Sequence, residues 1–420
     1  MSTTANKHVE VTVVGAGIVG ICCALSLQER GIKTLLIDRD EPGQGASFGN
    51  AGIISPWSVT PQAMPGVWKN IPKWLLDPDG PVAVQTKYLP KLLPWAIRFL
   101  RGANQGDVER ISDAMETLNR SNVELYRQLL AGTGHEHLVK DSYYVHAFRK
   151  AENADINAPD YAIKAQKGAE IERIDGPELQ RLEPAVSKEF KAAIIIKGQA
   201  RATSPGKIAT VLAEKFCSLG GEILRANVTD LARQSDGSWQ ILNDQQPVNC
   251  KRLVLAAGAW SAQLLKPLGV HVPMVAERGY HVRFADPGVE LNHSVMDAEM
   301  KIVFSSMEEG LRAAGTSEFA NLDAPPNPRR IATLASATRR MLPDMNDSQM
   351  ESWMGTRPSM PDSLPCIGPV AQQDGLFAAF GHCHYGLMMA PKTGQIIADL
   401  LSSRTPNSDL SVYNIGRFTD

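Results

Sequence analysis

Near its amino terminus the chain reads HVEVTVVGAGIVGICCALSLQERGIKTLLIDRD, and few stretches restrict a fold as strongly. The apolar pattern predicts a strand over Val9 to Val14, a helix over Ile18 to Arg30 and a second strand over Thr34 to Ile37. Together these make half of a doubly wound sheet. The glycines between strand and helix have separate tasks. Gly15 permits the tight turn, Gly17 lets the backbone approach a pyrophosphate, and Gly20 lets the helix pack on its strand. The helix amino terminus then offers unpaired N–H groups and partial positive charge to phosphates. Asp38 closes the second strand, where an acid accepts hydrogen bonds from an adenosine ribose and disfavours a 2′-phosphate. NAD and FAD remain as ligands.

The next segment, GQGASFGNAGIISPW (43–57), separates them. It is dense in glycine and small polar residues where a simple nicotinamide enzyme would begin another helix. Small residues let main-chain N–H groups reach the ribityl chain and ring of a flavin, and Ser47 and Asn50 add side-chain contacts.

Composition bounds the remainder. A chain of 420 residues exceeds the usual domain size and predicts two domains or one large one. With 43% hydrophobic residues, 21% charged residues and a net charge of -2, it reads as an ordinary soluble globular protein with no nucleic-acid partner. The six cysteines show no C-x-x-C spacing and read as reduced packing residues. No export signal or membrane span is evident, so a cytoplasmic protein is expected.

From 64 to 101 the composition changes to short helical pieces broken by prolines, mixing Trp68, Trp74, Tyr88, Trp95 and Phe99 with six lysines and arginines. We read this first as a lid packed on the body of the protein. The alternative is peripheral contact with an anionic membrane surface, on the inner face of the cytoplasmic membrane. A long amphipathic helix is expected from Val108 to Gly132, a helix from Pro205 to a glycine stop at Gly220 and Gly221, and a buried strand running into Ala257 and Gly258. DSYYVHAF and ERGYHVRF read as strands, and 323–330 as a surface turn.

The expected fold class is α/β: a Rossmann-like FAD-binding domain with a discontinuous α+β second domain on a mixed sheet. The first would comprise 1–58, 196–270 and 348–420, and the second 59–195 and 271–347.

Two late signals carry chemistry. Arg357, in a turn fixed by Pro358, suits a carboxylate held through a bidentate fork. GHCHYGLMMAP (381–391) places His382, Cys383 and His384 together. In an extended turn the two histidines share a side while the cysteine points away, so no metal is expected. The flanking glycines and the helix that follows instead suit N–H groups and a dipole aimed at negative charge on a reduced flavin.

With these residues in place, the chain resembles the D-amino-acid oxidase superfamily of FAD enzymes, which contains glycine oxidase and the bacterial D-amino-acid dehydrogenase small subunit. VVGAGIVG, SFGNAGIISP, LAAGAW, RGYHVRF, GTRPSMPDSLPCIG and GHCHYGLMMAPKTG occur in the family order. The resemblance implies that FAD is bound by Val14, Gly15, Ala16, Gly17, Ile18, Val19, Asp38, Arg39, Ser47, Asn50, Ala51, Gly52, Ile53, Val228, Ala257, Gly258 and Trp260. The late turn adds Gly381, His382, His384, Tyr385, Gly386 and Leu387. It implies that Arg357 holds the substrate carboxylate and places Tyr280, His281 and His384 near flavin or substrate. Members with covalent flavin carry a cysteine just before the RP segment; here SWMG stands there, which implies non-covalent FAD.

The implied activity is oxidative deamination of D-amino acids, a hydride passing from the α carbon to flavin N5 and the electrons to a quinone or another non-oxygen acceptor. D-Hydroxyproline or D-proline dehydrogenase is an alternative, as is a glycine or sarcosine-type oxidase producing peroxide.

Overall fold

The computed structural model describes residues 7–418 and contains two sheets. The first has the strand order Cys366–Pro369, Leu376–Phe380, Val248–Leu255, Lys7–Val14, Thr34–Asp38, Glu222–Arg225. Its centre is parallel: Lys7–Val14 pairs with Val248–Leu255 on one side and Thr34–Asp38 on the other. Residues 11–14 are buried on both faces, which a continuous apolar run in a parallel sheet requires.

The helix Ile18–Glu29 packs against two others, Gly386–Leu401 and Pro205–Ser218. Flanked in this way it is apolar nearly all round, and Cys22 and Cys23 are fully buried within it.

The second sheet runs Met350–Ser359, Val275–Phe284, Gly310–Phe319, Ile302–Met307, Ser294–Asp297, Val139–Phe148, Ala192–Ala202, Ile53–Ile54. Ile53–Ile54, Ala192–Ala202 and Met350–Ser359 therefore pair in the second sheet, whereas the expected boundaries place most of them in the first domain. The helix Pro328–Met341 covers this sheet from a start inside the expected 323–330 turn. Pro328 occupies its first turn, and the Asn327 side chain accepts from Arg329 N at 3.1 Å.

The single helix expected from Val108 to Gly132 is two, Gln105–Asn119 and Asn122–Leu130. The residues beside the break are buried asparagines. Asn119 donates to Ser58 O at 2.7 Å and Asn122 to Ser55 O at 3.0 Å, so partners distant in sequence set the break.

The 64–101 segment folds as the helix Ile71–Leu76, the strand Val82–Val84 and the helix Leu89–Arg101. Leu92 and Trp95 face inward beside Tyr88, Val275 and Phe319, and the Trp95 indole donates to Ser359 O at 3.1 Å. Among the described residues, no helix is long and apolar enough to cross a membrane.

Candidate functional site

A cleft of about 1860 Å³ runs from the glycine turn of the first sheet to the wall of the second. Ordinary small-molecule sites hold roughly 300–1,000 Å³, so this one has room for a long dinucleotide and a small substrate together.

Its first end is backbone. Gly15 has φ +109°, and a Cβ there would lie 2.4 Å from Ala256 O. At Gly20 a Cβ would meet Gly15 O at 1.8 Å, so the turn can close only around glycine. Gly17 caps the Ile18–Glu29 helix without a side-chain bond, and a Cβ there would have only Ser47 Oγ nearby, at 3.5 Å. That space is what a phosphate would occupy. Ser47 Oγ accepts from Ile18 N at 2.9 Å and ties the 43–57 loop to the helix start. Asp38 accepts from Ala16 N at 2.6 Å and Asp40 N at 3.0 Å, which holds the turn in shape while leaving lone pairs for ribose hydroxyls. Arg39 stacks 4.2 Å over the Trp260 ring, closing that end. These features fit a dinucleotide.

Val14 to Val19, Arg39, Ser47, Asn50, Ala51, Ile53, Val228, Ala257, Gly258, Trp260 and the 381–387 turn all line the cleft together with Asp38 and Arg357. Gly52 does not. Its φ is +81°, and a Cβ would lie 2.7 Å from Ala202 O, so it is a glycine for the backbone's sake.

The far wall is a ladder between two antiparallel strands, in which Glu277 faces Arg357, Gly279 faces Gly355 and His281 faces Trp353. Arg357 therefore lies within the strand Met350–Ser359 and not in the turn expected from Pro358. The strand is at the sheet edge, where the missing proline N–H costs no ladder bond. The two central glycines leave the wall bare, and the flanking side chains fold over it. A Cβ on Gly279 would lie 2.1 Å from Arg357 Nη2, and one on Gly355 would lie 2.0 Å from the Trp353 ring. The same ring presses on Gly49 of the 43–57 loop.

Tyr280 and His281 do not line the cleft. Adjacent strand residues point to opposite faces, so both could not. Tyr280 is turned into the core, where its hydroxyl bonds Glu318 and accepts from Asn327 N at 3.0 Å. His281 shares the face of Glu277 and Gly279 but stacks behind Trp353, with ring centroids 5.2 Å apart.

The residue that sequence reading missed is Glu277. Its side chain is 2% exposed, and Oε1 accepts from Ser317 Oγ at 2.6 Å, from Arg357 Nη1 at 3.0 Å and lies 2.6 Å from His384 Nε2. Burial pushes this carboxyl up, but His384, Arg357 and Ser317 together pull it far below the ordinary carboxylate range. Arg357 also donates to Thr316 O at 3.3 Å. Thr316 and Ser317 reach these positions through a register shift opposite Arg278 and Tyr280, and Thr316 takes a left-handed φ of 57°. Bulges of this kind re-aim groups beside functional sites.

The 381–387 turn sends its three polar side chains three ways. Gly381 has φ +83° and Cys383 φ 48°, which twists the chain out of the extended form expected. His382 is buried against Thr393 Oγ1 at 3.0 Å, the Cys383 sulfur accepts from Met360 N at 3.2 Å, and His384 reaches Glu277. Among the described residues, no three His, Cys, Asp or Glu groups are placed to hold a metal ion. Tyr385 then caps the Gly386–Leu401 helix without a side-chain bond, so its first N–H groups face the cleft.

Comparison with known proteins agrees with this geometry. The family model described as FAD dependent oxidoreductase, DAO, matches residues 10–400. A D-amino-acid oxidase of Bradyrhizobium diazoefficiens is 35% identical over 415 residues, which cover 97% of this chain and 98% of that protein. The crystal structure of glycine oxidase from Geobacillus kaustophilus aligns with a TM-score of 0.75 at 21% identity, covering 99% of this chain and 100% of that one. L-Proline dehydrogenase from P. horikoshii aligns with a TM-score of 0.75 at 18% identity, covering 99% and 98%. With the family match spanning the glycine turn, the ladder and the late turn alike, the chain belongs to the DAO family of FAD dependent oxidoreductases.

Proposed function

We propose that this chain oxidises the amine-bearing carbon of a D-amino acid whose carboxylate is gripped by Arg357. The observation that carries the reading is the guanidinium laid across Gly279 on the wall that faces the 381–387 turn. A guanidinium has five donors, and Glu277 and Thr316 both engage Nη1, so the fork can still meet a carboxylate. The substrate class also follows the curated relative's name, D-amino-acid oxidase.

FAD, the family's cofactor, supplies a two-electron acceptor when bound. Residues 14–19, Asp38, Ser47 and the first N–H groups of the Gly386–Leu401 helix are the groups that would hold it. No cysteine stands in Ser352 to Thr356, so attachment is read as non-covalent.

In this reading the chain's own work is positional. Arg357 fixes the carboxylate, and Gly279 and Gly355 keep the wall clear so that the α carbon can approach. Glu277 keeps Arg357 and His384 in place, and the His384 Nε2 to Glu277 Oε1 contact holds a proton at the edge of the substrate space. An amine that arrives neutral needs no further base at the carbon. Electrons would leave to a quinone or similar acceptor, a reading that rests on the aromatic and basic segment 64–101.

The test is anaerobic bleaching of the flavin band with a panel of D-, L- and cyclic amino acids. D-Amino acids should bleach it fastest, whereas bleaching by cyclic amines alone would move the substrate to the proline class. Arg357→Ala should cost about 2–5 kcal/mol in kcat/KM, and an unchanged value would remove Arg357 from its role. Turnover with a quinone or dye should exceed peroxide formation in air, and the reverse would make the enzyme an oxidase.

A further inference from the structure

Ten large hydrophobic side chains stand exposed among the described residues, and seven belong to one short stretch: Trp68, Leu75, Leu76, Leu89, Leu93, Ile97 and Leu100. Leu76 is 82% exposed, Leu93 61% and Trp68 60%. On the Leu89–Arg101 helix the exposed set falls at i, i+4, i+8 and i+11, one stripe of the surface, while Leu92 and Trp95 serve the core from the other side. A surface helix apolar on two faces has one face more than its own fold requires. Contiguous apolar surface of this kind marks a docking site.

Charge states what the surface docks to. Between Met64 and Arg101 the basic residues are Lys69, Lys73, Lys87, Lys91, Arg98 and Arg101, and the acids only Asp77 and Asp79, in a chain whose net charge is -2. Asp79 is moreover engaged by Arg329 at 3.2 Å. The remaining sign is strongly positive. Leu75, Leu89, Leu93 and Leu100 are both exposed and part of the cleft lining, so the stripe continues into the mouth of the site.

We infer that the 64–101 segment seats the protein on an anionic lipid surface, apolar side chains in the acyl boundary and basic ones at the headgroups, with the cleft mouth opening at the lipid. Amphipathic helices bind in this way, by buried apolar area together with attraction to anionic lipid. Among the described residues no helix is long and apolar enough to span a bilayer, and this mode of binding needs none. The inference does not depend on which amine is oxidised. It deepens the proposed route of the electrons, since a lipid-soluble acceptor would enter where the stripe meets the cleft.

The experiment is sedimentation of the flavin-loaded protein with phosphatidylglycerol-containing vesicles and with pure phosphatidylcholine vesicles. Binding should require the anionic lipid, weaken with salt and weaken about fivefold for each of Lys69, Lys73 and Lys87 replaced by Ser. The double variant Leu76→Asp/Ile97→Asp, at positions that do not line the cleft, should lose vesicle binding while keeping its flavin and its turnover with a water-soluble dye. Failure of the wild type to sediment with anionic vesicles overturns the inference and leaves the dye-linked reaction untouched. So does a wild-type dimer in light scattering that the double variant converts to monomer, because a second copy would then cover the stripe. Equal binding to neutral and anionic vesicles would overturn the choice of an anionic surface.

Discussion

Gly279 shows how one missing side chain can define a site. It is not glycine for its φ, which lies outside the left-handed region; it is glycine because the Arg357 guanidinium lies where a Cβ would be. An alanine methyl would stand 2.1 to 2.2 Å from Nη2 and Cζ. The flexible end of an arginine can yield to that, so the fold should survive. The fork cannot stay where it is, and a displacement of about 1 Å at a positioning group can cost roughly 10²-fold in rate. Gly279→Ala is therefore expected to load flavin and melt near the wild-type temperature, with kcat/KM for the amino acid reduced on that scale. If the variant turns over like the wild type, the carboxylate is held elsewhere.

Among elements, the closest dependence is between the two helices whose amino termini face the cleft. Gly394 of the Gly386–Leu401 helix lies against Ile18–Glu29, and a Cβ there would meet Cys22 O at 2.5 Å and its carbonyl carbon at 2.7 Å. The obstacle is backbone and cannot rotate away. Gly394→Val should push the helices apart, destabilise the protein by about 1–3 kcal/mol as overpacking does, and lower the flavin-to-protein ratio because both helix starts shift. A normal melting temperature with full flavin would show that the helix pair does not set the cofactor end. Both helices were legible in the sequence, because glycine turns and apolar runs are local signals. Glu277 was not, although it is the first residue of the strand segment ERGYHVRF. Its partners Arg357 and His384 lie 80 and 107 residues further on, and only strand register and the late turn bring them together. The break at Arg120 was hidden for the same reason: its causes are carbonyls at Ser55 and Ser58. Reading Tyr280 and His281 as neighbours of one site overlooked the strand's alternation, which selects Glu277 and Gly279 instead.

Across the whole molecule the cleft depends on both sheets at once. Arg312, 2% exposed on the second sheet, donates to Phe48 O and Asn50 O at 2.9 Å each and so clamps the 43–57 loop of the cofactor end. Behind the same loop stands His281, held down to about 3 by burial and by the nearby charge of Arg312. His382, beside the late helix, is held down to about 3 by burial alone. Free histidine takes up a proton near pH 6.5, so between that pH and about 3 the unfolded chain binds protons that the folded chain refuses. The sign follows: stability is full above about pH 6.5 and falls as pH is lowered, by up to about 1.4 kcal/mol per pH unit for each such histidine. Between pH 6.5 and 5 the burial of His146 and of His293 acts in the same direction, while Glu183, pushed up to about 7 by burial, takes up its proton in the folded protein and opposes them, so the share of His281 is read from the difference between variant and wild type. There, flavin release and loss of secondary structure should run together, because the buried rings sit against the two segments that close the cleft. His281→Phe keeps an aromatic ring to stack on Trp353 and removes the proton, so its stability should fall less steeply over the window. A slope equal to that of the wild type would mean that His281 already takes up its proton in the folded protein, and that the loop behind Gly49 is open to water.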